Sequence, residues 1–144
     1  MAEWRRPESV LVLVYADRSR VLLLKRKAPF LFWQSVTGSL EPGESAAEAA
    51  RRELAEETGL SVAPDSAHVA ERRFVIDPRW RNRYAPGVSE NLEYEFRARV
   101  PTASAVQVDE NEHSAYAWMP IDAAIERVWS WTNREALIAL REEL

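Results

Sequence analysis

Cysteine is absent from this chain of 144 residues. That excludes disulfides and cysteine-ligated zinc, and it fits a reducing, cytoplasmic compartment. Long apolar runs are missing too. The longest at the N-terminal end, Val10 to Tyr15, is too short for a signal peptide or a membrane span, and Asp17 ends it. No excess of positive charge exists: the formal net charge is −4, which argues against a binder of nucleic acid polymer. Small anions are a separate matter, because local charge decides their binding. The chain also lacks internal repeats, low-complexity tracts and linkers. Its length fits one domain, residues 1–144, and 47% hydrophobic residues are enough for one sizeable core. Glycine is scarce at four residues, yet Gly38, Gly43 and Gly59 all fall within one short stretch.

Patterning divides the rest into strands and helices. Residues 9–16 and 21–27 read as apolar strands joined by the turn "DRSR", and "FLFWQSV" (Phe30 to Val36) as a third. Residues 66–77 and 89–100 read as further strands, the second with alternation in "LEYEFRARV", and between them lies the Pro- and Arg-rich loop "DPRWRNRYAPGV". "SAYAWMP" (Ser114 to Pro120) is a short strand, followed by helices near 121–128 and 133–143. Thr132 and Glu135 have the spacing of a capping box for the last helix. This mixture predicts an α/β (α+β) domain in layers.

The glycine-bearing stretch "GSLEPGESAAEAARRELAEETGL" (Gly38 to Leu60) reads as a loop entering a helix. Ser45 and Glu48 have capping-box spacing, and Gly59 supplies the C-terminal stop. Ala47, Ala50 and Leu54 share a face that can pack on a sheet. Glu53, Glu56 and Glu57 crowd a neighbouring face, although a like-charge i,i+4 pair costs about 0.2–0.5 kcal/mol. A glycine-rich loop leading to clustered carboxylates suits a hard divalent cation, which takes oxygen ligands and shares its shell with phosphates.

The same stretch resembles the Nudix box, G-x5-E-x7-R-E-U-x-E-E-x-G-U with U aliphatic. Gly38, Glu44, Arg52-Glu53-Leu54, Glu56-Glu57 and Gly59-Leu60 occupy every fixed position. Such agreement arises by chance on the order of once in 10⁸. The resemblance implies a mixed β-sheet sandwiched between α-helices and Mg²⁺-dependent hydrolysis, with Mn²⁺ a possible substitute. It implies metal or base roles for Glu53, Glu56 and Glu57, and structural roles for Gly38, Glu44, Arg52 and Gly59, with Arg52 and Glu44 paired. A chain that keeps every box glutamate reads as an enzyme rather than a nucleotide-sensing module.

Blocks outside the box, "FWQSVTGS", "RYAPGV", "EHSAYAW" and "SWTNREA", resemble a bacterial folate-pathway branch of the family. Its substrate is a small-molecule triphosphate carrying a flat pterin. That resemblance implies substrate contacts at Arg5, Arg26, Thr37, the segment Phe74-Val75-Ile76-Asp77, and Ser130. It makes Glu112 a further metal ligand or the general base; His113 beside it reads as a surface or structural histidine. Trp33, Phe74 and Tyr84 offer either ring contacts or core packing. Arg26, at a strand end, suits phosphate. Arg79, Arg81 and Arg83 form a basic loop that is either solvated or a lid over phosphates. The rival substrate is a nucleoside triphosphate, because pterin and guanine share a ring edge. No membrane partner is expected, and the chain acts as a monomer or homodimer.

Overall fold

The computed structural model describes residues 4–17 and 19–144. Residues 1–3 of the polar N-terminus and Arg18 of the "DRSR" turn lie outside the described residues. The strands are β1 (Glu8–Ala16), β2 (Arg20–Arg26), β3 (Phe32–Gln34), β4 (Val36–Ser39), β5 (Ala70–Val75), β6 (Glu90–Val100) and β7 (His113–Pro120). The helices are α1 (Ala46–Thr58), α2 (Ile121–Arg127) and α3 (Trp131–Glu143).

β1 is apolar at nearly every position because both of its faces are covered. Val10, Val12 and Val14 join Ala49, Ala50 and Leu54 of α1 in one core. Leu11 and Leu13, pointing the other way, join Ile121 and Ala124 of α2 and Ala136, Leu137 and Leu140 of α3 in a second. Leu54 is fully buried, so Leu54→Ala would cost about 2–5 kcal/mol. The expected mixed sheet between helices is thus present, and its sandwich is anchored on β1.

One edge of β1 pairs in parallel with β6 from Glu8 to Ala16. The opposite edge is shared: Ser9–Val12 pair with β4, while Tyr15 and Ala16 pair with the start of β2. β2 then diverges, pairing with β3 on one side and β7 on the other. The stretch expected as one strand, residues 30–36, is therefore two. It breaks at Ser35, whose backbone N–H donates to Asn133 Oδ1 at 2.8 Å and whose Oγ accepts from Asn133 Nδ2 at 2.9 Å. Tying Ser35 to α3 lets the residues before it pair with β2 and those after it with β1.

Helix ends follow local chemistry. Ser45 and Glu48 form the reciprocal capping box of α1, and Gly59 closes it in the left-handed conformation. At the last helix the expectation needs correction. α3 begins at Trp131 with Ser130 as N-cap, its side chain accepting from the Asn133 backbone N–H, while Thr132 is buried inside the first turn. β6 also departs from its alternation: Phe96, Ala98 and Val100 face the α1 core, but the polar set Asn91, Glu93 and Glu95 is buried too.

Candidate active site

The acidic group begins with a glycine. A Cβ on Gly38 would overlap the Glu53 carboxylate, with Oε2 only 2.6 Å away. The bare backbone of β4 is what lets α1 bring Glu53 against the sheet. Arg52 fixes the loop ahead of the helix. Its Nε and Nη2 reach Glu44 Oε2 and Oε1 at 2.8 and 2.9 Å, Nη2 donates to Ser39 O at 3.1 Å, and Nη1 donates to Glu53 Oε1 at 2.6 Å. A planar guanidinium can make this bidentate pair and still serve a third carboxylate.

Glu57 points inward. It is 2% exposed, and among the described residues neither carboxylate oxygen has a hydrogen-bond partner. Burial, then repulsion from Glu53 and Glu112, holds its pKa well above the usual carboxylate range. Glu53 is raised as well, chiefly by burial. Pairing of β7 with β2 sets His113 opposite Arg26 and ties the Glu112 carbonyl to the Lys27 N–H at 3.0 Å. Ligand atoms of Glu57, Glu112 and His113 consequently lie within 4.8 Å of one another. His113 Nε2 is 3.5 Å from Glu57 Oε1 and 3.5 Å from Gln34 Nε2. Burial and the nearby Arg26 charge push its pKa down to about 4, so the ring is neutral at pH 7. Orphaned, charge-crowded oxygens beside a neutral imidazole are the donor set a divalent cation fits. Glu56 is turned outward and meets Arg52 Nη1 at 3.3 Å.

Beside this group opens a cavity of about 390 Å³. Arg5, Arg26, Thr37, Phe74, Val75, Ile76, Asp77 and Ser130 all line it, drawn from the N-terminal segment, β2, β4, the end of β5 and the cap of α3. Tyr84 lines it as well, while Trp33 does not. β3 alternates, so Phe32 and Gln34 face the cavity and Trp33 packs against the α2–α3 core, with Lys25 Nζ 5.8 Å from its ring centroid.

The basic loop divides. Arg79 is exposed, but Asp77 holds it at 2.9 Å through two nitrogens and it lies over the Phe30 ring at 4.2 Å. Arg81 borders a separate shallow depression with Trp4. Arg83 turns toward Arg5 and Arg26: burial and then repulsion from those two cations lower its pKa, and the Arg5 N–H donates to the Arg83 carbonyl at 2.7 Å. Three crowded guanidiniums near the acidic group concentrate positive charge that an anion would offset. Patterning missed the aromatic rim. Phe30, Phe32, Trp80 and Trp129 pack tilted or edge-on with ring centroids 4.8–6.4 Å apart, and their separation along the chain left no periodic signal. Buried Asn91 and Glu93 in the cavity wall were missed as well.

The family model of the NUDIX domain matches residues 5–140. The chain belongs to the Nudix family. This Nudix hydrolase is 42% identical over 139 residues to dihydroneopterin triphosphate diphosphatase of Escherichia coli K12, covering 93% of this chain and 91% of that protein. It is 34% identical to the Haemophilus influenzae protein of the same name, over 95% of this chain and 89% of that one. The structure of the E. coli dihydroneopterin triphosphate pyrophosphohydrolase superposes with a TM-score of 0.89 at 38% identity, covering 98% and 99% of the two chains. A MutT protein of Methanosarcina mazei, at 21% identity and a TM-score of 0.73, shares the fold. Members of the family generally use a divalent metal, and no helix among the described residues is long and apolar enough to cross a membrane.

Proposed function

We propose that this Nudix hydrolase acts in the cytoplasm on 7,8-dihydroneopterin triphosphate, adding water across an anhydride bond to leave the monophosphate and pyrophosphate. The observation that carries this reading is the meeting, in one cavity, of aromatic side chains (Phe32, Phe74, Trp80, Tyr84) with the guanidiniums of Arg5 and Arg26, which Arg83 crowds from beside it. The two ends match a flat heterocycle and a triphosphate. Likeness to the E. coli diphosphatase over nearly the whole of both chains supports it.

Mg²⁺ is the proposed cation, with Mn²⁺ as substitute, and Glu53, Glu56, Glu57 and Glu112 would hold it. When bound, such an ion neutralises phosphate charge and makes a water more acidic. The chain's own groups do the rest. Arg26, Arg5 and Arg83 draw in the phosphates and offset the charge that builds on them. Glu112 or Glu56, both exposed to solvent, takes the proton of the attacking water. Thr37, Ser130 and the 74–77 segment position the substrate, and Phe74 and Tyr84 border its ring.

Hydrolysis of 7,8-dihydroneopterin triphosphate against a panel of deoxynucleoside triphosphates, with Mg²⁺, tests this. Preference for the pterin with release of pyrophosphate is the expected result. Equal or faster turnover of nucleotides would keep the hydrolase chemistry and discard the pterin role. Release of orthophosphate would overturn the assigned products.

A further inference from the structure

Two buried acceptors in the cavity wall have no donor. Among the described residues Glu93 Oε1 and Asn91 Oδ1 lack hydrogen-bond partners; their residues are 6% and 1% exposed, and both line the cavity. They are two apart on β6 and so project from the same face. Leaving a buried acceptor unpaired costs free energy, and nearby residues show how the fold pairs one when it must. Two positions along, Glu95 is just as buried but holds Arg72 at 2.7 Å and Arg97 at 3.2 Å. Asn133, also in the wall, uses both amide atoms on Ser35. Asn91 uses its Nδ2 on Ser9 Oγ at 2.8 Å. Glu93 receives only the Thr132 hydroxyl from α3, with Arg72 on β5 and Glu95 on its own strand as the nearby charges.

The unmet need is for N–H donors from the cavity side. A carboxylate facing two adjacent N–H groups makes a two-point pair. The amino group and neighbouring ring N–H of a 2-amino-4-oxo ring present that pattern, and pterin and guanine both carry it. Adenine sets a ring nitrogen lone pair beside its amino group, so a carboxylate there meets one donor and one repulsion.

We propose that Glu93, flanked by Asn91, determines ring specificity: its carboxylate accepts from the amino and ring N–H groups of a 2-amino-4-oxo heterocycle in this cavity. The inference rests on the cavity being the substrate site of the proposed function, and it adds the group that selects the ring. Burial pushes the free carboxyl up to about 7, and arriving N–H donors favour its ionised form.

The test compares wild type with Glu93→Gln on 7,8-dihydroneopterin triphosphate, dGTP, dATP and inorganic tripolyphosphate, with Mg²⁺. Glutamine keeps the shape but turns an N–H₂ toward the ring donors. KM for the pterin and for dGTP should rise about 10–100-fold, the range for a lost charged hydrogen bond, with kcat little changed. KM for dATP and tripolyphosphate should stay level. An equal loss on all four substrates, or no loss on any, overturns the proposal. Should Glu93→Gln melt early, Glu93→Asp keeps the acceptor and must keep the ring preference; losing it overturns the proposal as well. The functional reading fails separately: a wild type that prefers dGTP to the pterin discards the pterin role, while the dGTP-to-dATP ratio still decides Glu93. If no triphosphate is turned over, calorimetric binding of 7,8-dihydroneopterin, guanosine and adenosine to both proteins decides it in the same way.

Discussion

Gly38→Ala is the substitution whose outcome the geometry separates most sharply. The added methyl would fall inside the Glu53 carboxylate. The obstacle is the far end of a flexible side chain, so the protein escapes by moving Glu53 rather than by unfolding. Alanine in a strand gains about 0.5–1 kcal/mol over glycine. Loss of the largely buried Arg52–Glu53 pair, 2.6 Å in the native protein, costs about 1.5–3 kcal/mol, and Arg52 keeps its two contacts with Glu44. The net change is a loss of up to about 2 kcal/mol, or roughly 4–8 °C in Tm. Catalysis has no such offset, because the displaced carboxylate is the one beside Glu57. A fall in kcat of about 10–100-fold is expected, the range seen when a group supporting a metal site is lost. Pyrophosphate release at saturating substrate, read alongside thermal melting by circular dichroism, checks both halves. A variant with full activity would show that Glu53 does not need its close approach to β4. A collapsed Tm would show that the approach holds the fold rather than the site.

Glu57→Gln should abolish turnover, leave the fold intact and raise metal-free stability at pH 8, because it removes a buried charge repelled by Glu53 and Glu112. A Tm that Mg²⁺ still raises as in wild type would refute its place among the cation's ligands. Ser130→Ala removes the N-cap of α3 and should cost about 1 kcal/mol, seen as a lower urea midpoint; an unchanged midpoint would mean the cap contributes nothing. Stability against pH offers a further check. Folding holds Glu93 protonated up to about 7 against an ordinary 4.5, so between those values the unfolded chain has shed a proton that the folded one keeps. Its contribution falls as pH rises through that window, by up to about 3 kcal/mol. His113, lowered from 6.5 to about 4, runs the opposite way. Glu93→Gln should therefore gain stability relative to wild type from pH 5 to pH 7 in urea melts, and parallel curves would refute the assigned environment.

The acidic box was legible because its information is local. Capping at Ser45 and Gly59, the i,i+4 spacing of Glu53 and Glu57, and the Glu44–Arg52 spacing across the loop all act within about two turns of one helix. β1 was legible because burial on both faces demands an unbroken apolar run. Side-chain parity was harder to read. Phe32 and Trp33 are both large and apolar, and only the register of β3 on β2 decides which one reaches the cavity. The polar half of β6 looks like a solvent face in one dimension and is a buried wall in three.

By itself, then, the sequence determined the class of chemistry, the carboxylates of α1 and the strands and helices that carry them, since each depends on neighbours a few residues away. Tertiary structure alone decided that His113 meets Glu57, that Arg83 rather than Arg79 joins Arg5 and Arg26, and that Glu93 lines the cavity with one carboxylate oxygen unpaired among the described residues. Those outcomes depend on which strands pair and in what register, and that is settled by burial of the whole core rather than by any local spacing.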